Sequence, residues 1–398
     1  MGVFLRFLVL IAFLFVLVGK RVKISLVIFL STLLLGFLFL IPPPVFLKAL
    51  FQGVTGFLTV KILLAIYFVL ILGRALEETG FSARLLSSME GVIPDKRVSL
   101  VIPALVFGLF PVPAGAMLSA PMAEKIGNDM SISAEHKFFF NYWFRHVWEF
   151  SWPLYAGVIL GSGILDIPIG RFSLKMIPLV GFTLLVGFVM LFTILRGDYS
   201  MNMKRSGGRF LSFLFALWPV YLIVFLVLIV RLHFLLSLLI TVFAVFLTSR
   251  VGPRRALRVL RDALEFRTFL LIISVMVFKR VLENSGAVEE LPAAFLSYNI
   301  PPILPVLVVP FIVGLLTGIT NAGVGVTFPV FLTFLKGDFG LVAVAYTAIM
   351  SGVFLSPVHL CLVVTREYFG ADPGKIYRLI IPPVILILLF SVLLNLFY

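Results

Sequence analysis

The sequence predicts an all-α, polytopic membrane protein of about ten spanning helices plus two re-entrant hairpins, set out as two inverted repeats. Three observations predict it: an extreme apolar composition, a set of landmarks that recurs in one order, and polar interruptions at matching places in both halves. Hydrophobic residues make up 61% of the 398 and charged residues 13%, and the mean hydropathy is +1.17. That excludes a soluble globular domain and a disordered chain. The apolar runs are about 17–22 residues long, enough to cross a bilayer as helix, and they lack the alternation of barrel strands.

Met1–Val18 reads as a retained first span rather than a cleaved leader. Its positive cluster (Lys20, Arg21, Lys23) follows the apolar core, and no small-x-small site is present. Spans follow at Ile24–Ile41 and Phe57–Leu76, then a broken segment Ser99–Met122, then Phe138–Ile164 and Leu174–Leu195. After a polar connection with Arg196, Asp198, Lys204, Arg205 and Arg209, the series restarts. It runs Leu211–Val230, Leu232–Thr248, Thr268–Leu282, the broken segment Ile303–Phe334, Leu341–Thr365 and Ile376–Phe397. The predicted plan is a first repeat over 1–195, with its hairpin at about 99–122 and a broken helix at about 138–164. A basic cytoplasmic linker takes 196–210. The second repeat takes 211–398, with its hairpin at about 303–334 and a broken helix at about 341–365.

Direct comparison of the halves supports a duplication. Arg74-Ala75-Leu76-Glu77 matches Arg280-Val281-Leu282-Glu283, and Leu100-Val101-Ile102-Pro103 matches Leu307-Val308-Val309-Pro310. Pro113–Pro121 matches Asn321–Pro329, and Tyr142, Pro153, Gly170 and Pro178 pair with Tyr346, Pro357, Gly374 and Pro382. If the broken segments dip in and return, each half crosses an odd number of times and the halves are inverted. The basic loop at 196–210 and the Arg-rich loop at 250–267 then both fall in the cytoplasm, as the excess of Lys and Arg in cytoplasmic loops requires. The acidic loop with Glu283, Glu289 and Glu290 falls outside, as do both termini, and Arg231 is the exception. The net charge of +14 is therefore read as membrane orientation and not as nucleic-acid binding. The chain is expected as a multi-pass protein of the cell's inner (cytoplasmic) membrane. Cys361, the only cysteine, sits inside an apolar run and reads as a packing residue.

Inverted halves with interrupted helices are how secondary transporters hold substrate and coupling ion near the midplane. A break supplies positive helix N-termini for an anionic group and bare carbonyls for a cation. The interruptions are Phe110–Gly115, the stretch Thr317–Thr327, Ser151-Trp152-Pro153 and Ser351–Pro357. The candidate binding residues fall in or beside them. From the first half these are Gly115, Ser119, Glu149 and Ser151; from the second, Thr317, Thr320, Asn321, Gly323, Thr327, Ser351, Ser356 and His359. A mid-depth carboxylate costs about 2.5–3.5 kcal/mol on insertion scales, which marks Glu149 for function. Its spacing admits three roles: proton carrier, cation ligand, or partner of Arg145 at i−4. Gly314-x-x-x-Gly318 and Gly157-x-x-x-Gly161 double as close-packing motifs, and His359 either titrates or bonds a freed carbonyl. His-Glu-x-x-His, Cys-x-x-Cys and Gly-x-x-x-x-Gly-Lys are all missing, and the four histidines are scattered, so neither an enzyme nor a resident metal or cofactor is expected.

With two hairpins and two proline-broken spans, the chain resembles the ion transporter superfamily of gluconate, dicarboxylate and citrate carriers, arsenite permeases and sodium/proton antiporters. It is most similar to an uncharacterised prokaryotic family of about ten-span proteins placed near them. Sodium-coupled carboxylate carriers of that group carry Ser-Asn-Thr signatures at hairpin tips and breaks. Thr320-Asn321-Ala322-Gly323 is similar, whereas Pro113-Ala114-Gly115 and both helix breaks lack the triplet. The resemblance implies a scaffold of outer spans, a mobile unit of hairpins and broken helices, elevator-like alternation and a homodimer. The expected function is secondary active transport of a small anionic metabolite coupled to Na⁺ or H⁺. The alternatives are a cation/proton antiporter and a non-transporting membrane subunit that binds a partner through the Arg-rich loop 250–267.

Overall fold

In a computed structural model the chain is described over residues 2–89, 93–110, 115–197, 199, 207–286, 290 and 297–398. The first interruption at 111–114, Asp198, Lys204 and Arg205 of the linker, and Glu289 lie outside the described residues. The elements are helices. The first half runs α1 (Val3–Gly19), α2 (Ile24–Leu38), α3 (Pro43–Thr55), α4 (Phe57–Glu78), α5 (Phe81–Met89), α6 (Lys96–Phe107), α7 (Gly115–Asp129), α8 (Ala134–His146), α9 (Ala156–Ile164) and α10 (Ile169–Ile194). The second runs α11 (Gly207–Ala216), α12 (Trp218–Val224, continued by a wide turn to Ile229), α13 (Phe234–Thr248), α14 (Pro253–Asp262), α15 (Phe266–Glu283), α16 (Ile303–Thr317), α17 (Thr320–Val330), α18 (Leu332–Leu335), α19 (Phe339–Leu355), α20 (Leu360–Phe369) and α21 (Pro373–Leu394). Pro43–Glu78, Ile169–Ile194, Phe339–Phe369 and Pro373–Phe397 are each long and apolar enough to cross a membrane. This is an all-helical, polytopic membrane protein.

Two helices fall where the sequence reading had none. The sequence places 43–55 outside the expected spans and 250–267 in a loop, yet α3 and most of that loop (as α14) are helical. Pro43 and Pro253 sit at helix starts, where the missing N–H is harmless and φ is already set. Neither segment has a spanning apolar run. In α14 only Val259 is buried, and its arginines lie on the other faces, as in a helix lying along an interface. α3 crosses α15 at backbone contact: a Cβ on Gly53 would stand 2.6 Å from Val277 Cα. α14 crosses α4, where the Tyr67 hydroxyl donates to Leu260 O at 3.0 Å.

The helix ends repeat between halves. Arg21 and Arg231, like Leu40 and Arg250, are left-handed residues 210 apart; Gly80 and Gly286 are 206 apart, and Asp166 and Gly370 are 204 apart. A left-handed Leu or Arg is sterically poor, and here the helix terminus holds it. The N–H groups of Ile41 and Val251 reach back to Gly36 O and Phe246 O, closing their helices in the same six-to-one manner. Packing repeats too: α4 lies on α13 as α15 lies on α2.

Two helix pairs and two broken helices fill the space between. α6 and α7 pack side by side, as do α16 and α17, where Val309 and Val313 share a small void with Val326 and Val330. The broken helices α8–α9 and α19–α20 run in opposite directions. At one end Tyr368 donates to Glu124 at 2.8 Å and Lys375 stands 3.7 Å from Glu135. At the other, Lys175 lies 4.7 Å over the Phe339 ring. α20 therefore packs on α7 and α8, and α9 packs on α17. α16 and α19 touch main chain to main chain. A Cβ on Gly314 would stand 2.2 Å from Ile349 O, and one on Gly352 would stand 2.1 Å from Phe311 O.

Candidate functional site

Both helix breaks follow from proline, which removes a ladder donor and clashes with the preceding turn. α8 tightens into a 3-10 turn over Val147–Phe150 and stops before Pro153; α19 ends at Leu355, just before Ser356-Pro357. The breaks lie at one level and hold each other across the halves. The Tyr142 hydroxyl donates to Phe354 O at 3.2 Å, and the Tyr346 hydroxyl donates to Glu149 O at 2.9 Å. These tyrosines occupy matched positions, so each half caps a carbonyl that the other half's break leaves free.

The end of α6 and the turn between α16 and α17 are each capped by the neighbouring break. At the end of α6, the carbonyls of Leu105, Leu109 and Gly108 accept from Trp148 Nε1 (2.8 Å), Trp152 Nε1 (2.8 Å) and the Tyr155 hydroxyl (2.7 Å). Between α16 and α17 the chain turns on Gly318, with φ +63°, a conformation that a side chain resists. Gly318 O accepts from His359 Nδ1 at 2.7 Å. Tyr155 and His359 are matched positions 204 residues apart, each bonding its own turn.

Between these caps lies a largely buried charged cluster. Arg145 is 4% exposed and donates through Nη1 to the Tyr155 hydroxyl. The same nitrogen stands 4.0 Å from Glu149 Oε1. His146 Nε2 is 3.8 Å from that oxygen. The other oxygen, Glu149 Oε2, accepts from the Thr320 hydroxyl at 3.3 Å, at the first residue of α17. Gly115, the first residue of α7, lies against the guanidinium, and a Cβ there would stand 2.8 Å from Arg145 Nε. An arginine, a carboxylate and the starts of two helices thus converge from both halves. The register pairing Tyr142 with Tyr346 puts Ile349, Met350 and Val353 opposite Arg145, His146 and Glu149, so the charge comes from the first half alone.

The structure brings Gly115, Glu149, Thr320 and His359 to this junction, with Ser356 and Thr317 beside them. Ser356 Oγ accepts from Val358 N at 3.4 Å and lies against Gly318, and Thr317 bonds back to Val313 O. Asn321 is half-buried next to Thr320, its Oδ1 accepting from Ala322 N at 3.1 Å. Ser151 is buried in the first break and Ser351 near the end of α19. Three candidates make other contacts. Ser119 donates to Asn141 Oδ1 at 2.6 Å between α7 and α8; Thr327 bonds back to Gly323 O; and Gly323 packs on Ile349. The candidates do not include His146, Tyr142, Tyr155, Tyr346 and the two tryptophans, and include Arg145 only as a partner of Glu149. Their partners are too distant in the chain for spacing to reveal them; the matched tyrosine pair was the one visible signal.

A cavity of about 850 Å³ opens along α9 and the start of α10. Lys61, Arg171, Lys175, Arg231 and His233 line it against the one acidic residue Asp166. Its inner wall includes Ile159 and Ser162 of α9. The first turn of that helix, at Gly157, touches Thr320 and the Tyr346 hydroxyl. Arg231, the exception to the charge rule, is part of this basic lining.

Residues 3–397 match the family described as "Protein of unknown function (DUF401)". Comparison with curated proteins finds no match. Among solved structures, the crystal structure of the Alcanivorax borkumensis YdaH transporter is similar, at 17% identity and a TM-score of 0.64, over 94% of this chain and 96% of that one. The two share a fold.

Proposed function

The chain belongs to the DUF401 family, and we propose that it is a secondary active transporter of a small anionic solute, driven by Na⁺ or H⁺. One observation carries the reading. Two broken helices running in opposite directions, the first residue of α7 and the turn between α16 and α17 meet at one cluster of buried Arg145 with the partly buried Glu149 and Thr320. A buried charge is costly, and one lodged among interrupted helices fits a solute or ion pathway. Arg145, the α7 start at Gly115 and the basic cavity lining all favour a negative group. The fold shared with a protein described as a transporter agrees with this reading.

In this reading the halves are inverted repeats and the helix pairs are re-entrant hairpins entering from opposite leaflets. The repeated helix ends and the reciprocal packing support it. α4 and α13 belong to a fixed scaffold, while the broken helices and hairpins move past it. The cavity is then the cleft between the two units, since α4 forms one wall and α9 and α10 the other. A Cβ on Gly163 would stand 2.9 Å from Ile62 Cγ1, close enough for a disulfide between cysteines placed there.

The test is uptake into proteoliposomes by Ile62→Cys/Gly163→Cys in a Cys361→Ser background. We expect uptake down a Na⁺ or H⁺ gradient when the pair is reduced, arrest when it is oxidised, and recovery with reductant. Equal rates in both redox states, with the cross-link verified, contradict the sliding scaffold. The partly buried carboxylate Glu149 also suits a cation/proton antiporter, and proton release on adding Na⁺ without solute uptake would select that reading.

A further inference from the structure

Where the two broken helices cross, three metal-binding side chains face one another. We propose that His146, His359 and Cys361 form a site for a zinc-class transition-metal cation. The argument begins with the two imidazoles. His146 Nδ1 lies 2.7 Å from Tyr142 O and His359 Nδ1 lies 2.7 Å from Gly318 O. A carbonyl oxygen only accepts, so both Nδ1 atoms carry hydrogen. In the neutral rings both Nε2 atoms are then bare lone pairs, and they point at each other across 3.1 Å with His146 fully buried. Two facing lone pairs repel, and this contact becomes favourable once a cation lies between them.

The remaining donors suit a metal. Cys361 Sγ and one ring nitrogen of each histidine all lie within 4.8 Å of one another. Four-coordinate zinc, with Zn–N of about 2.0–2.1 Å, sets two nitrogens about 3.3 Å apart, close to the spacing seen here. A closing movement of about 1 Å places the thiolate at its own bonding distance of about 2.3 Å. Glu149 Oε1, 3.8 Å from His146 Nε2, stands where a fourth, oxygen ligand belongs. Each histidine also donates its second ring N–H to a backbone carbonyl, the arrangement that fixes the tautomer of metal-ligating histidines. A set of two imidazoles and a thiolate suits zinc and excludes the hard cations Mg²⁺ and Ca²⁺.

The site draws His146 and Glu149 from the first half, and His359 and Cys361 from the second. An ion there ties one break to the other, and through His359 to the turn at Gly318. The proposal stands apart from the transport reading, because binding is measured without flux.

The experiment uses the full-length chain in detergent, carrying a tag without histidine, stripped with chelator and dialysed against Zn²⁺ and, separately, Co²⁺. We expect one Zn²⁺ per chain, and with Co²⁺ the visible d–d bands of a tetrahedral site together with a near-ultraviolet thiolate-to-cobalt charge-transfer band. Cys361→Ser removes that band, and His359→Gln weakens zinc binding at least about tenfold. Cys361→Ser exchanges one half-buried atom, so a folded variant is available even if the histidine variant fails. Retention of less than one-tenth of an equivalent of Zn²⁺ overturns the site. So does a charge-transfer band unchanged in Cys361→Ser, or stoichiometric zinc that is as tight in folded His359→Gln as in the wild type. A chain that takes up solute but no zinc rejects this site and leaves the transport reading standing.

Discussion

Replacing Arg145 alone with Met is expected to lower the free energy of unfolding by about 3–5 kcal/mol, the range for removing one partner of a buried ion pair. Arg145 is buried between the Tyr155 hydroxyl, the Glu149 carboxylate and the start of α7. Without it, among the described residues Glu149 keeps Thr320 and the more distant His146 as neighbours for a negative charge. Replacing both residues, as Arg145→Met/Glu149→Met, should recover most of that loss, because a well-packed apolar pair needs no counter-charge. Thermal or denaturant unfolding of the single and double variants in detergent reads this directly. If the pair belongs to the solute pathway, the double variant is stable and does not transport. A stable double variant with wild-type uptake makes the pair purely structural.

The second large effect concerns flux. Glu149→Gln keeps the side chain's shape and a carbonyl oxygen for the Thr320 hydroxyl, while removing the charge. We expect initial uptake in proteoliposomes to fall about 100-fold, equivalent to about 2.7 kcal/mol on the barrier, with a much smaller change in thermal stability. Asn321→Ala should act more weakly, because Asn321 Oδ1 is already engaged by its neighbour's N–H. A normal rate in Glu149→Gln removes the carboxylate from the transport cycle.

Much of the architecture was legible because prolines and glycines interrupt apolar runs in an order that repeats. Pro153 and Pro357 mark the breaks, and the matched Tyr142 and Tyr346 are the pair that ties them together. α14 escaped because a helix lying along an interface carries no long apolar run, and Val259 is its one buried residue, whereas α3 is a short helix set off from α4 at Gly56. The partners within the site escaped for another reason. Glu149 meets Thr320 across 171 residues, and His146 meets His359 across 213. No local spacing encodes contacts that depend on how two halves interlock. Ser119, a small polar residue near an interruption, bonds Asn141 between two helices.

The central claim is that a small anion binds where the two breaks meet. Its most direct test is ligand-dependent thermal stabilisation of wild type and Arg145→Met/Glu149→Met across carboxylates, sugar acids and oxyanions, each with and without Na⁺. A ligand at about 100 times its dissociation constant adds about 2.7 kcal/mol to the folded state. We predict that at least one anion stabilises the wild type by that order and leaves the double variant unmoved. An equal shift in both proteins, or no shift from any member of the panel, would contradict it.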